Sequence, residues 1–239
     1  MPPLGAWGLT GTPVPLPGGH RNTVLRVGDH VLKSTGRSEA AINWLLPVIN
    51  RLEQYGLSAP RPMRSHHGAF VVDGWTCEPF VVGTSCNPSR LQTAWPRVAQ
   101  ATRQIRQRPG FASANALLHR PSGGDINLGH LPPPLTRALR AAWRALPPER
   151  PCVVHGDLNA TNLIQNGDTI TLVDWDEARM DHPGLDRATL GLGTSAEHRA
   201  ATAWEIACSW QIEPAHARAL VKPFLAQHRR SRKAARPSC

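Results

Sequence analysis

The chain has 239 residues, 41% of them apolar and eight of them tryptophan, enough to bury a sizeable core in one large domain or two smaller lobes. Its five cysteines are odd in number and scattered without a Cys-x-x-Cys pair, which speaks against a disulfide framework and a structural zinc site and suits a reducing cytosol. The formal charge of +10 invites a nucleic-acid reading, but 24 of the 27 basic residues are arginine spread along the chain.

No apolar run approaches the ~20 residues that a membrane span needs, and no charged-then-apolar leader opens the sequence. A soluble, cytoplasmic protein with no membrane partner is expected. Lysine occurs only three times, and Lys33 is the sole lysine among the first 221 residues. Its placement at the end of the strand-like HVLK suggests a position that needs a compact ammonium.

In chain order, GTPVPL, TVLRV and HVLK read as short strands bounded by the turn formers PGG (17–19), Gly28-Asp29 and Thr35-Gly36. A helical pattern follows in SEAAINWLLPVINRLEQYG, with Ser38 as N-cap and Gly56 as stop. Pro47 inside it predicts a kink or two consecutive helices. AFVV and WTCEPFVV flank Asp73-Gly74 and read as a hairpin. These elements make a small β-rich N-terminal lobe over residues 1–80, joined by a connector at 81–87.

Residues 88–228 are expected to form a larger, mostly helical lobe. PSRLQTAWPRVAQATRQIRQRPG and PPPLTRALRAAWRALPP are helix candidates around an irregular stretch at 109–133. CVVH, NLIQ and ITLVD are short strands within this lobe, with NGD (166–168) turning between the last two. Residues 195–228 return to helix, broken near Pro214. The tail RRSRKAARPSC (229–239) carries five basic side chains and no acid. Such tails are normally disordered and solvated, so no nucleic-acid partner is expected from it.

Chemistry concentrates in VVHGDLNATNL. A buried strand delivers His155 at its end and Asp157 in the loop beyond, and the next strand begins at Asn162. The strand after that delivers Asp174. Two carboxylates and an amide oxygen at one mouth are hard oxygen donors suited to Mg²⁺ and poor for zinc. The remaining carboxylate can accept a proton from an attacking hydroxyl.

HGDLNATN followed by LVDWDEA resembles the catalytic core of the aminoglycoside phosphotransferase and choline-kinase-like family, relatives of the protein kinases. The D-x-x-x-x-N spacing stands at Asp157 and Asn162, and DHPGLDRA (181–188) matches the family's following segment, with Asp186 as its structural aspartate. Asn159 stands where a second histidine is common. The early segments also resemble an actinobacterial branch of that family.

The resemblance implies an α+β, two-lobed protein-kinase-like fold and an ATP- and Mg²⁺-dependent transfer of the γ-phosphoryl group to a small-molecule hydroxyl acceptor. Asp157 would be the catalytic base or orienting carboxylate, His155 a brace for the loop, and Asn162 and Asp174 the metal ligands. Gly18 and Gly19 would cover the phosphates, and Lys33 would meet the α- and β-phosphates. Glu39 fits the helix glutamate that pairs with this lysine, with Glu53 as the alternative. Backbone groups of Glu78 and Phe80 would bind adenine, Pro79 having no N–H to offer. Few acidic residues follow Asp176, so a polycationic acceptor is not favoured. Two other readings stay open: a kinase-fold nucleotide-binding module without turnover, and a basic RNA-associated protein.

Overall fold

The computed structural model describes the backbone of residues 1–16 and 21–234 and side chains through residue 226. Gly18 and Gly19 lie outside the described residues. The N-terminal lobe is an antiparallel sheet ordered β1 (Val14–Pro15), β2 (Val24–Val27), β3 (His30–Ser34) and β5 (Trp75–Pro79). One face of it buries Val27, Leu32 and Cys77 against Trp7. The long helical pattern divides into α1 (Glu39–Asn43) and α2 (Leu45–Glu53) at Trp44. The division precedes Pro47, which falls in the first turn of α2, where its missing N–H costs no helical bond. Ser38 caps α1 by accepting from the Ala41 amide at 3.3 Å.

AFVV does not form the expected strand. Only an isolated bridge joins Val72 to Trp75 across Asp73 and Gly74, both at positive φ. The reason is local: the Phe70 and Val71 amides are captured by the Glu39 carboxylate instead of a neighbouring strand.

A second sheet, ordered β4-β11-β10-β6, is built from β4 (Leu57–Ser58), β6 (Thr84–Ser85), β10 (Leu163–Asn166) and β11 (Thr169–Leu172). The hairpin predicted from NLIQ and ITLVD is therefore the centre of this sheet, flanked by strands from the lobe and the connector before it. The first large-lobe helix candidate shortens to α3 (Trp95–Ala101), whereas α4 (Pro133–Arg144) fills its predicted span. Residues 109–133 hold a small hairpin, β7 (Ser122–Gly123) with β8 (Ile126–Asn127). Strand β9 (Cys152–Val154) pairs with β12 (Arg179–Asp181) and is followed by α5 (Gly184–Thr189), α6 (Ser195–Ser209) and α7 (Pro214–Ala234). Helix α7 absorbs residues 229–234 of the basic tail expected to be disordered, because Ala, Arg and Lys all favour helix. Residues 235–239 lie outside the description.

The core of the larger lobe packs α4, α6 and α7 with the β7–β8 hairpin. A separate cluster runs from α2 and α3 under the β10–β11 hairpin, so a continuous apolar layer supports the loop containing Asp157. No helix among the described residues is long and apolar enough to cross a membrane.

Candidate active site

Strand pairing places the site residues. In the β10–β11 ladder Leu163 opposes Leu172, which brings the residues just outside each strand together. The Val173 amide donates to the Asn162 carbonyl at 2.9 Å. Asn162 and Asp174 thus emerge side by side at one end of the hairpin. Asp174 sits in the left-handed region, at φ 64°, which is costly for a residue with a Cβ and is a feature of functional turns.

Asp157 stands opposite them. Asn162 donates from Nδ2 to the Asp157 Oδ2 at 2.8 Å, and Asn159 donates to its Oδ1 at 2.9 Å. With its Nδ2 turned to Asp157, Asn162 leaves Oδ1 available to a cation. Asn159 also accepts from the Thr161 and Asn162 amides, so it holds both the loop and the carboxylate.

His155 is fully buried; its Nδ1 accepts from the Asp157 amide at 3.4 Å, its Nε2 donates to the Val173 carbonyl at 3.0 Å, and its ring packs on Trp175. Burial holds its pKa below the usual histidine range, consistent with a neutral ring that carries one N–H. It joins the Asp157 loop to the residue before Asp174.

Asp186 lies beneath the loop and accepts from the His155 and Gly156 amides at 2.7 and 3.1 Å. Burial raises its carboxyl from an ordinary value of 3.8 to about 6, against the pull of those amides. The folded chain therefore holds this proton more tightly than the unfolded chain. Its contribution favours folding at acid pH and is lost as pH rises through about 4 to 6. Asp186→Asn should flatten the pH dependence of the unfolding free energy in that window, as measured by urea titration at several pH values.

Lys33 reaches into the cleft from β3, with Nζ 3.0 Å from Glu78 and 3.6 Å from Asp174. These carboxylates hold its pKa well above the ordinary lysine value despite burial. Glu39 does not pair with it. Both Glu39 oxygens accept from the Phe70 and Val71 amides at 2.9–3.0 Å, because the chain after β4 folds back over the start of α1. Glu53 pairs with Arg61 at 2.7 Å.

The backbone groups expected at the hinge also shift by one residue. The Phe80 amide donates to the Asp29 carbonyl at 2.8 Å, and Glu78 opposes Val31 in the sheet. By the alternation of an antiparallel ladder, the Glu78 groups and the Phe80 N–H point into the sheet, while the Pro79 carbonyl points outward.

Sequence reasoning passed over several residues. Asp176 joins Asp174 in a D-x-D spacing that was a usable signal; it accepts from Asn22, and burial raises its pKa. Arg108, 1% exposed, donates to the carbonyls of Ala41, Trp175, Asp176 and Ala178 at 2.9–3.1 Å, tying α1 to the segment after Asp174. Arg37 makes a bidentate contact to Asp125 at 2.8 and 2.6 Å, and Arg21 contacts both Asp125 and Glu177, so the small lobe is latched to the β7–β8 hairpin. With 24 arginines in the chain, nothing local marks these three.

Two cavities meet at Lys33, Asn162 and Asp174. One, of about 460 Å³, is walled by Leu16, Val24, Val31, Val81 and Ile164. The other is lined by the carboxylates of Asp157, Asp174, Asp176, Glu177, Glu205 and Glu213 against the cations Arg21 and Lys33.

A β-sheet lobe over a helical lobe, with these side chains in the cleft between them, defines a phosphotransferase of the protein-kinase-like fold. The family model described as the phosphotransferase enzyme family (APH) matches residues 12–219, and the chain belongs to that family. Solved structures agree in fold. The amicoumacin kinase hAmiN in complex with AMP-PNP, Ca²⁺ and Ami is similar with TM-score 0.60 at 16% identity, over 94% of this chain and 74% of that one. The GDP and kanamycin complex of APH(2")-IIia is similar with TM-score 0.55 at 14% identity, over 98% and 97%. The streptomycin–ATP–APH(2")-IIa ternary complex is similar with TM-score 0.51 at 13% identity, over 91% and 90%. No curated protein matches the chain in sequence.

Proposed function

We propose that this protein transfers the γ-phosphoryl group of ATP to a hydroxyl of a small, amine-bearing molecule. The observation that carries the reading is the convergence of Lys33, Asp157, Asn162 and Asp174 where an apolar cavity and an acidic one meet. The apolar cavity suits a nucleotide base, with Pro79 and Val81 at its edge. Lys33 would meet the phosphates as a point charge. Asn162 and Asp174, with Asp176 beside them, are all oxygen donors and would hold Mg²⁺, which supplies charge neutralisation on the phosphates. Asp157, oriented by Asn159 and Asn162, would accept the hydroxyl proton as the oxygen attacks phosphorus.

The acceptor class follows from the second cavity. The sequence did not favour a polycation, but folding brings Glu205 and Glu213 from α6 and the turn after it to the wall that also holds Asp157 and Glu177. A cationic acceptor is complementary to that wall. Solved neighbours bound to kanamycin or streptomycin make amine-bearing antibiotics the first compounds to screen.

The test is a transfer screen with γ-labelled ATP and Mg²⁺ against amine-bearing antibiotics, amino alcohols and neutral sugars. Labelled product from an amine-bearing acceptor is expected. Nucleotide binding without transfer to any hydroxyl compound would favour the module without turnover, and no nucleotide binding would sink the reading altogether. For an acceptor found this way, Glu213→Gln should raise KM about fivefold, the worth of about 1 kcal/mol for a solvent-accessible ion pair, and leave KM for ATP unchanged.

A further inference from the structure

A phosphate-binding lysine needs a carboxylate to hold its extended side chain in one direction, because an unpaired ammonium on a four-carbon stem samples many rotamers. We infer that Glu78, on the strand next to Lys33, is the positioning residue for this lysine, and that helix α1 takes no part in the task. The inference rests on the nucleotide-binding reading of the cleft.

The sheet register dictates the pairing. Lys33 opposes Thr76 across the β3–β5 ladder, and Glu78 lies two residues further along β5 on the same face. Diagonal neighbours of this kind are within reach of long side chains. The contact is 3.0 Å, and both residues line the cavity assigned to the nucleotide. The acids on the helices are committed elsewhere. Glu39 satisfies the backbone amides of Phe70 and Val71, and Glu53 holds Arg61. Asp174, the other carboxylate in ion-pair contact with Lys33 among the described residues, is 3.6 Å away and belongs with Asp176 to the oxygen-donor set that would face a cation. Once Asp174 is so engaged, Glu78 is the acid that remains on the ammonium.

The consequence is mechanical. An acid on a helix can be swung toward or away from its lysine, whereas Glu78 and Lys33 are joined through one continuous antiparallel ladder. Nucleotide affinity should therefore not depend on where α1 sits.

Equilibrium titration with a fluorescent ATP analogue and Mg²⁺, on wild type and on Lys33→Ala, Glu78→Gln, the double variant and Glu39→Gln, separates the possibilities. Thermal unfolding of each variant runs in parallel. Glu78→Gln is expected to weaken nucleotide binding about 10- to 100-fold, as for loss of a hydrogen bond to a charged group. In the Lys33→Ala background it should add nothing, since its effect passes through the lysine. Glu39→Gln should lower Tm and leave the affinity as in wild type. Glu78→Asp, which keeps the charge on a shorter arm, should recover part of the loss and guards against a Gln variant that folds poorly. Additive losses in the double variant, no recovery with Asp, or a measurable affinity loss in Glu39→Gln would each overturn the inference. A wild-type protein that binds no nucleotide would instead remove the functional reading on which it stands.

Discussion

Asp157→Asn is expected to lower phosphoryl transfer by about 10²- to 10⁴-fold, the range for removing a positioned general base, while leaving nucleotide binding and Tm close to wild type. The geometry explains why the loss falls on turnover. Asp157 is half-buried at the mouth of the acidic cavity, and both its oxygens accept from amides, of Asn159 and Asn162. Those contacts orient the carboxylate without removing its charge. An Asn side chain fills the same volume and gives up one of the two accepted bonds, while the loop keeps its support from Asp186 and His155. A single-turnover assay beside nucleotide titration checks this. Unchanged transfer in the variant would show that another group takes the proton.

The largest stability effect is expected at Asp181. Arg179 is 0% exposed and Asp181 is 1% exposed, and Arg179 Nε donates to Asp181 at 2.9 Å. The guanidinium lies 3.2 Å over the Trp204 ring and donates to the Glu177 carbonyl. Asp181 also accepts from the amides of Ala114 and His182. Asp181→Ala strands a buried arginine and two amides together, and should cost about 3–5 kcal/mol of unfolding free energy in urea titration. Glu149→Gln removes a partly exposed partner of Arg187 and should cost no more than about 1 kcal/mol. Similar losses for the two would show that Arg179 finds another partner when Asp181 is gone.

How far the site was legible in sequence depended on distance along the chain. The segment from Cys152 to Asp174 is a strand, a loop and a hairpin, and local hydrogen bonds suffice to bring Asp157, Asn162 and Asp174 together. Apolar alternation and the Asn-Gly-Asp turn carry that information directly. The partner of Lys33 was not legible, because Glu39 and Glu53 both stand where a helix glutamate is expected, and nothing local marks the Glu78 side chain as a rival. The choice was settled by the amides of Phe70 and Val71, which bond to the Glu39 carboxylate instead of to a neighbouring strand. Glu39 is thereby committed, and Lys33 is left to Glu78. The acidic wall was hidden for a similar reason: Glu205 and Glu213 are thinly spaced in sequence and become neighbours of Asp157 only when α6 packs.

The sequence by itself determined the class of fold, the position of the loop that carries Asp157 and the isolation of Lys33, because each is written in a local pattern or a single scarce residue. Tertiary structure alone decided which acid holds that lysine, which arginines latch the lobes, and what charge lines the second cavity. Those are contests among chemically equivalent side chains far apart in the chain, and only sheet register and helix packing bring one of them within bonding distance.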